Sequence, residues 1–223
     1  MSSASRGSRI AGTVVAVVTW FGLALQFYVS YRLMRENGHG TIAIVIRYLS
    51  FFTVLTNALV AITTTLPLLV PASRAGHFFS LPSVRAAVAS YIAFVGIAYS
   101  LLLRHLSHPD GLALVSDQIL HDIVPIAYVL YWLFFGPKGG LRWSDLPRWL
   151  IYPSVYVGCA LAQGALNGFY PYPFIDVGKI GYGGALLGIA RLVVAFLVLG
   201  AVAITVDRAM GSRRAKVSEA AGG

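Results

Sequence analysis

Six times the sequence turns apolar for long enough to cross a bilayer, over about residues 10–31, 47–69, 86–103, 118–135, 149–166 and 182–206. A span needs roughly 20 such residues, and inside hydrocarbon each run must satisfy its own backbone hydrogen bonds, which leaves a helix as the form available to it. Apolar residues make up 57% of the 223 and charged ones only 11%, whereas soluble domains carry about a quarter charged. The mean hydropathy of +0.75 agrees. The expected fold is therefore all-α, an integral membrane bundle of six transmembrane helices over residues 1–207. A short basic cytoplasmic tail, 208–223, is expected to be disordered. The first run follows MSSASRGSR and is too long for a signal-peptide core, so it is read as a span that stays.

A net charge of +9 would suggest a nucleic-acid partner in a soluble protein. Here the basic residues gather at one set of span ends, and membrane topology explains them without nucleic acid. Eleven sit in the N-terminus, second loop, fourth loop and tail, against five on the opposite side: Arg32, Arg35, Arg47, Arg104 and Lys179. The positive-inside rule then places both termini in the cytoplasm. Cys159 is the only cysteine, which excludes an intramolecular disulfide.

The stretch Arg47–Leu69 carries a polar row that a lipid-facing helix would not need. Arg47, Ser50, Thr53 and Asn57 recur at steps of three, three and four, so one continuous helix would stack them on one face. Thr56 lies beside the row and Thr64 two turns below Asn57. Such a face is expected to meet other helices or a wet cavity. Buried threonines commonly return their hydroxyl to a carbonyl one turn back, and Asn57 and Thr56 can likewise serve as polar contacts between helices.

The fourth run opens SDQILHDIVPIAYVLYW, and helical spacing sets Asp117, His121, Pro125, Tyr128 and Trp132 on one face. Pro125 lacks an amide hydrogen, so the carbonyl of His121 loses its helical partner and a kink is expected there. Asp117, one turn above, can bond the imidazole and fix its tautomer. His121 is the one neutral-pH base in the spans. It is expected about one turn deep and Thr53 about two, near the outer boundary. A threonine becomes a nucleophile only beside a base, so the two residues strengthen each other as candidates.

Asp122 points about 100° away from His121 on a helix, and Arg191 falls mid-way along the sixth run. Both are expensive in hydrocarbon and are expected to find interior partners, as clamps between helices, with Arg104 a further partner for Asp122. His105 and His108 form an HxxH beside SHPD, which reads as a loop, so no metal site and no cofactor is expected. Gly158, Gly164, Gly168, Gly184 and Gly188 suggest close packing of the last two helices.

Three separated stretches carry a resemblance: FFTVLTNALVA, ILHDIVPIAYVLYWLFFGPKG and GFYPYPFID. They are similar to a group of bacterial six-span membrane proteins. These in turn resemble the animal androgen-induced membrane proteins, including the androgen-dependent regulator of tissue factor pathway inhibitor. The animal members are transmembrane threonine hydrolases that cleave fatty acid esters of hydroxy fatty acids. The resemblance covers about residues 47–176. It implies Thr53 as nucleophile after Phe51-Phe52, with Thr56 the competing position one turn on, His121 as the base, and Tyr172-Pro173-Phe174 as a shared motif.

The expected function is a hydrolase of fatty-acyl lipid esters. Thr53 would attack, His121 would act as base and then acid, Asp117 would orient it, and Asn57 or backbone amides would hold the oxyanion. Asp122 and Arg191 would support the site, while Tyr128, Tyr170, Tyr172 and Phe174 would line or cap an acyl-chain cavity. Membrane lipids are the expected partners. Two rivals use the same residues: a non-catalytic lipid-binding or assembly protein, and a small proton-linked transporter built on Asp122, His121 and Arg191.

Overall fold

A computed structural model describes the backbone of residues 6–222 and the side chains of residues 6–212. The described chain is all-α, and six of its helices are long and apolar enough to cross a membrane. They cover Arg6–Glu36, Phe52–Leu69, Pro82–Leu106, Gly111–Phe135, Trp143–Asn167 and Val177–Ser212. Two compact units divide the chain, Met1–Pro137 and Lys138–Gly223. Their boundary falls in the GPKGG turn, and hydropathy alone carries no sign of it.

In the first unit, α1 (Arg6–Glu36) packs on α3 (Phe52–Leu69), α3 on α5 (Pro82–Ala98), α5 on α7 (Val124–Phe135), and α7 back on α1. Two short helices, α2 (Thr41–Leu49) and α4 (Arg74–Ser80), flank α3, and α6 (Gly111–Gln118) leads towards α7. The core is apolar with polar cross-links. Wholly buried Ser116 donates to Gln26 of α1 at 2.9 Å, and Tyr48 donates to the Leu23 carbonyl at 2.7 Å.

The stretch Arg47–Leu69 is not one helix. Helix α2 ends at Leu49, and Phe51 is extended at φ −88° and ψ 127° before α3 begins. Ser50 turns its hydroxyl back to the Ile46 carbonyl at 2.7 Å, a local bond that competes with helix continuation. The expected four-residue polar row is therefore cut. Arg47 and Ser50 belong to the preceding segment, whereas Thr53 and Asn57 still share a face of α3. Ile42, Ile46 and Leu49 form one exposed apolar face of α2, the pattern of a short helix lying in a membrane interface.

The fourth span begins earlier than hydropathy implies, because GLALVSDQ is helical from Gly111 rather than part of a loop. Counted from there, His121 lies ten residues, about 15 Å, along the span. That is deeper than the one turn expected. The kink at Pro125 takes a specific form: Ile119–Ile123 is a π turn, in which the Val124 amide reaches back to Ile119. A second π turn, Tyr99–Leu103, ends α5.

The second unit holds α8 (Leu146–Trp149), α9 (Ile151–Asn167) and α10 (Val177–Gly222), the last bent at Gly181, where φ is +68°. Two of its glycines, Gly164 and Gly188, make room for the aromatic connection rather than for contact between the two long helices. A methyl group on Gly164 would lie 2.0 Å from the Tyr170 ring, and one on Gly188 would lie 2.2 Å from the Phe174 carbonyl oxygen. Wholly buried Asp207 anchors the loop after Pro137, its Oδ2 accepting from the amides of Gly139 at 2.9 Å and Leu141 at 3.0 Å. Helix α10 continues through the basic segment to Gly222.

Candidate functional site

The two π turns face each other where α5 meets α7, and the polar groups of the first unit converge there. The Nδ1 of His121 lies 3.0 Å from both the Asp117 carbonyl oxygen and the Asp117 carboxylate Oδ1. Both neighbours accept, so Nδ1 carries the proton and donates. Nε2 is then the basic nitrogen. It makes no hydrogen bond to any described residue.

Tyr99 completes the arrangement from across the interface. Its hydroxyl donates to Asp117 Oδ2 at 2.5 Å, and its ring stacks on the imidazole with centroids 3.8 Å apart and planes 18° apart. The guanidinium of Arg104 lies 5.0 Å from the centroid of the Tyr99 ring and pairs with Asp122. The expected clamp for Asp122 is thus made with Arg104. Arg104 also donates to Ser100 at 3.3 Å. Tyr99 had no signal in the sequence, since Asp117 and His121 lie 18 and 22 residues away and no motif joins them.

The proline supplies room for this packing. The His121 carbonyl, released from its usual amide by Pro125, lies against Gly96 of α5; a methyl group there would stand 3.2 Å from that oxygen and 3.1 Å from the Pro125 Cβ. Beside it a groove of about 480 Å³ opens between the two helices, lined by His121, Asp122, Ser100 and Pro125 and by apolar residues including Ile97 and Leu130.

Asn57 ties the start of α3 to this turn. Its side-chain amide donates to the Thr53 carbonyl at 2.9 Å and to the Leu120 carbonyl at 3.2 Å. Facing two carbonyls, the group must present nitrogen rather than oxygen. Both of its hydrogens are then committed, so Asn57 has no donor left for an oxyanion, contrary to the role expected for it. Its Oδ1 is buried without a partner. Thr53 is half-buried in the first turn of α3, not two turns into a helix, and Thr56 is wholly buried. Neither threonine hydroxyl is hydrogen-bonded to the imidazole.

Other expected site residues go elsewhere. Tyr128 is fully buried, its hydroxyl directed at the Arg85 carbonyl at 3.4 Å, and it does not line the groove. The π turn adds a residue to the helix and breaks the shared face that simple spacing predicts. Tyr170, Tyr172 and Phe174 belong to the second unit, where the last two stack at 5.2 Å and Tyr170 covers Gly164. A cavity within that unit, about 150 Å³ between α9 and α10, is lined by none of them.

Arg191 is exposed on α10 and has no hydrogen bond or ion pair to a described residue, so the interior partner expected for it is not found. The described acids of its unit are used elsewhere: Asp145 with Arg148, Asp176 with Lys179, and Asp207 with the loop. Among the described residues no three His, Cys, Asp or Glu side chains gather as a metal site would require. No family model, curated protein or solved structure matches the chain.

Proposed function

We propose that this membrane protein hydrolyses lipid esters within the bilayer, with His121 as the base. The carrying observation is that Asp117 holds the Nδ1 of His121 and leaves Nε2 without a bond to a described residue, in a histidine that lines an apolar groove. Oriented by a carboxylate, a neutral imidazole takes a proton from a hydroxyl and returns it to a leaving group. Thr53 is the nucleophile in this reading. The resemblance in FFTVLTNALVA points to it, Asn57 links its carbonyl to the turn that carries His121, and it is half-exposed where Thr56 is wholly buried. The acyl-threonine formed by attack would be released by water, activated by the same histidine. In this reading the protein sits in a bacterial cytoplasmic membrane, to which the resemblance points, with both termini inside, as the eleven-to-five distribution of basic residues favours.

Labelling of the purified protein with a hydroxyl-reactive fluorophosphonate tests this reading. Wild type is expected to label and to cleave fatty-acyl esters, Thr53→Ala and His121→Ala to do neither while remaining folded, and Thr56→Ala to retain both. Labelling of Thr53→Ala at the wild-type level would remove the nucleophile. One observation favours a non-catalytic lipid-binding protein as the second reading: the Thr53 hydroxyl is not bonded to the imidazole. Failure of every variant to change labelling would leave that reading in place.

A further inference from the structure

The groove between α5 and α7 can be read for what it would hold, independently of any hydrolysis. Its walls are open: Ile97 is 47% exposed, Leu101 72%, Ile126 61% and Leu130 45%. All four lie in helices long and apolar enough to cross a membrane, so lipid hydrocarbon is the medium expected at the surface they border. At about 30 Å³ for a water-sized group, 480 Å³ accommodates about sixteen methylenes. That is one aliphatic chain, not two.

An apolar chain gains little by leaving lipid for an apolar groove, because the lipid is equally apolar. Any selectivity must come from the polar end, where His121, Asp122 and Ser100 meet. Nε2 of the imidazole accepts, since the proton is on Nδ1. Asp122 meets Arg104 through Oδ1, leaving Oδ2 to accept. Ser100 receives a bond from Arg104 and keeps its own hydrogen to donate. This end therefore offers two acceptors and one donor. A carboxylate would bring no donor for Nε2. An ether or a bare hydrocarbon likewise leaves Nε2 unmet. A hydroxyl both donates and accepts.

We propose that the α5/α7 groove is a binding site, open to the bilayer, for a single-chain amphiphile whose polar group carries a hydroxyl. The hydroxyl donates to His121 Nε2 and accepts from Ser100, while the chain lies along Ile97, Ile126 and Leu130. The site shares His121 with the hydrolase reading but does not depend on turnover.

The test uses the full chain in phosphatidylcholine nanodiscs with two photoreactive probes, a long-chain alcohol bearing a mid-chain diazirine and its methyl ether. The alcohol is expected to crosslink to Ile97, Leu101, Ile126 and Leu130 several-fold more than the ether, and more than either probe marks the exposed α1 residues Val14, Val17 and Phe21. Ser100→Ala should cut capture of the alcohol several-fold. Leu130→Trp, a change at the exposed rim that the fold tolerates, should block it. Equal capture of alcohol and ether, or equal marking of α1 and the groove, overturns the proposal. So does crosslinking between two copies through Ile126 without probe capture, because a second copy would then fill the groove. Thr53→Ala should still capture the alcohol. Capture by a wild type that cleaves no ester upholds the site and sinks the hydrolase reading alone.

Discussion

Asp117 meets His121 twice, through its main-chain carbonyl and through its carboxylate, and Tyr99 holds the other carboxylate oxygen. Each bond has a separable effect. Asp117→Asn keeps the shape but can turn a donor towards Nδ1, which favours the wrong tautomer; in a serine protease the same change costs about four orders of magnitude in kcat. Ester cleavage should therefore fall by orders of magnitude while the protein still folds. Tyr99→Phe removes one hydrogen bond to a charged group, worth about 1.5–3 kcal/mol, and retains the stacked ring. The expected result is a loss of roughly tenfold or more, with the ring-nitrogen signals of His121 shifted in labelled protein. Unchanged signals would mean that the hydroxyl does not position the pair. Arg191 makes the opposite case, since an unpartnered arginine near a span's centre costs about 2.5–3.5 kcal/mol on insertion scales. Arg191→Leu should accordingly raise the inserted fraction of the sixth span in a glycosylation-mapping assay. No change would indicate that Arg191 is already compensated.

At the scale of elements, the helices were legible because hydropathy and length suffice to mark a span, and the Asp117–His121 pair because both residues lie one turn apart on one segment. Four features were not. Nothing like proline or glycine stands at the Ser50–Phe51 break, where a serine returning its hydroxyl to Ile46 ends α2. The start of α6 was hidden by SHPDG, whose turn residues end one residue into the helix. Pro125 announced a disturbance without specifying a π turn, and Tyr99 depends on a partner turn that only folding brings near. The glycines misled in another way, since small residues mark close approach without naming the partner. Gly188→Ala tests the partner found: its methyl would collide with the Phe174 carbonyl, forcing the 173–175 turn away from α10. Overpacking of this kind costs about 1–3 kcal/mol, and a matching fall in thermal stability is expected. A change confined to the contact between α9 and α10 would restore the helix-to-helix reading.

For the whole molecule, topology is the property to check first. The proposed topology, with both termini inside, predicts that a periplasm-dependent reporter fused after Gly223 is silent and that one placed in the loop at Ser107 is active. The reverse pattern would invert every depth assigned here. The unit boundary also has a bearing on biosynthesis. Tyr99, Arg104, Asp117, His121, Asp122 and the groove all precede Pro137. Translation runs from the N-terminus, and domains generally fold as they are made. A nascent chain arrested just past Pro137 therefore already contains every residue of the histidine stack, and the last two spans join a membrane in which that chemistry has been assembled.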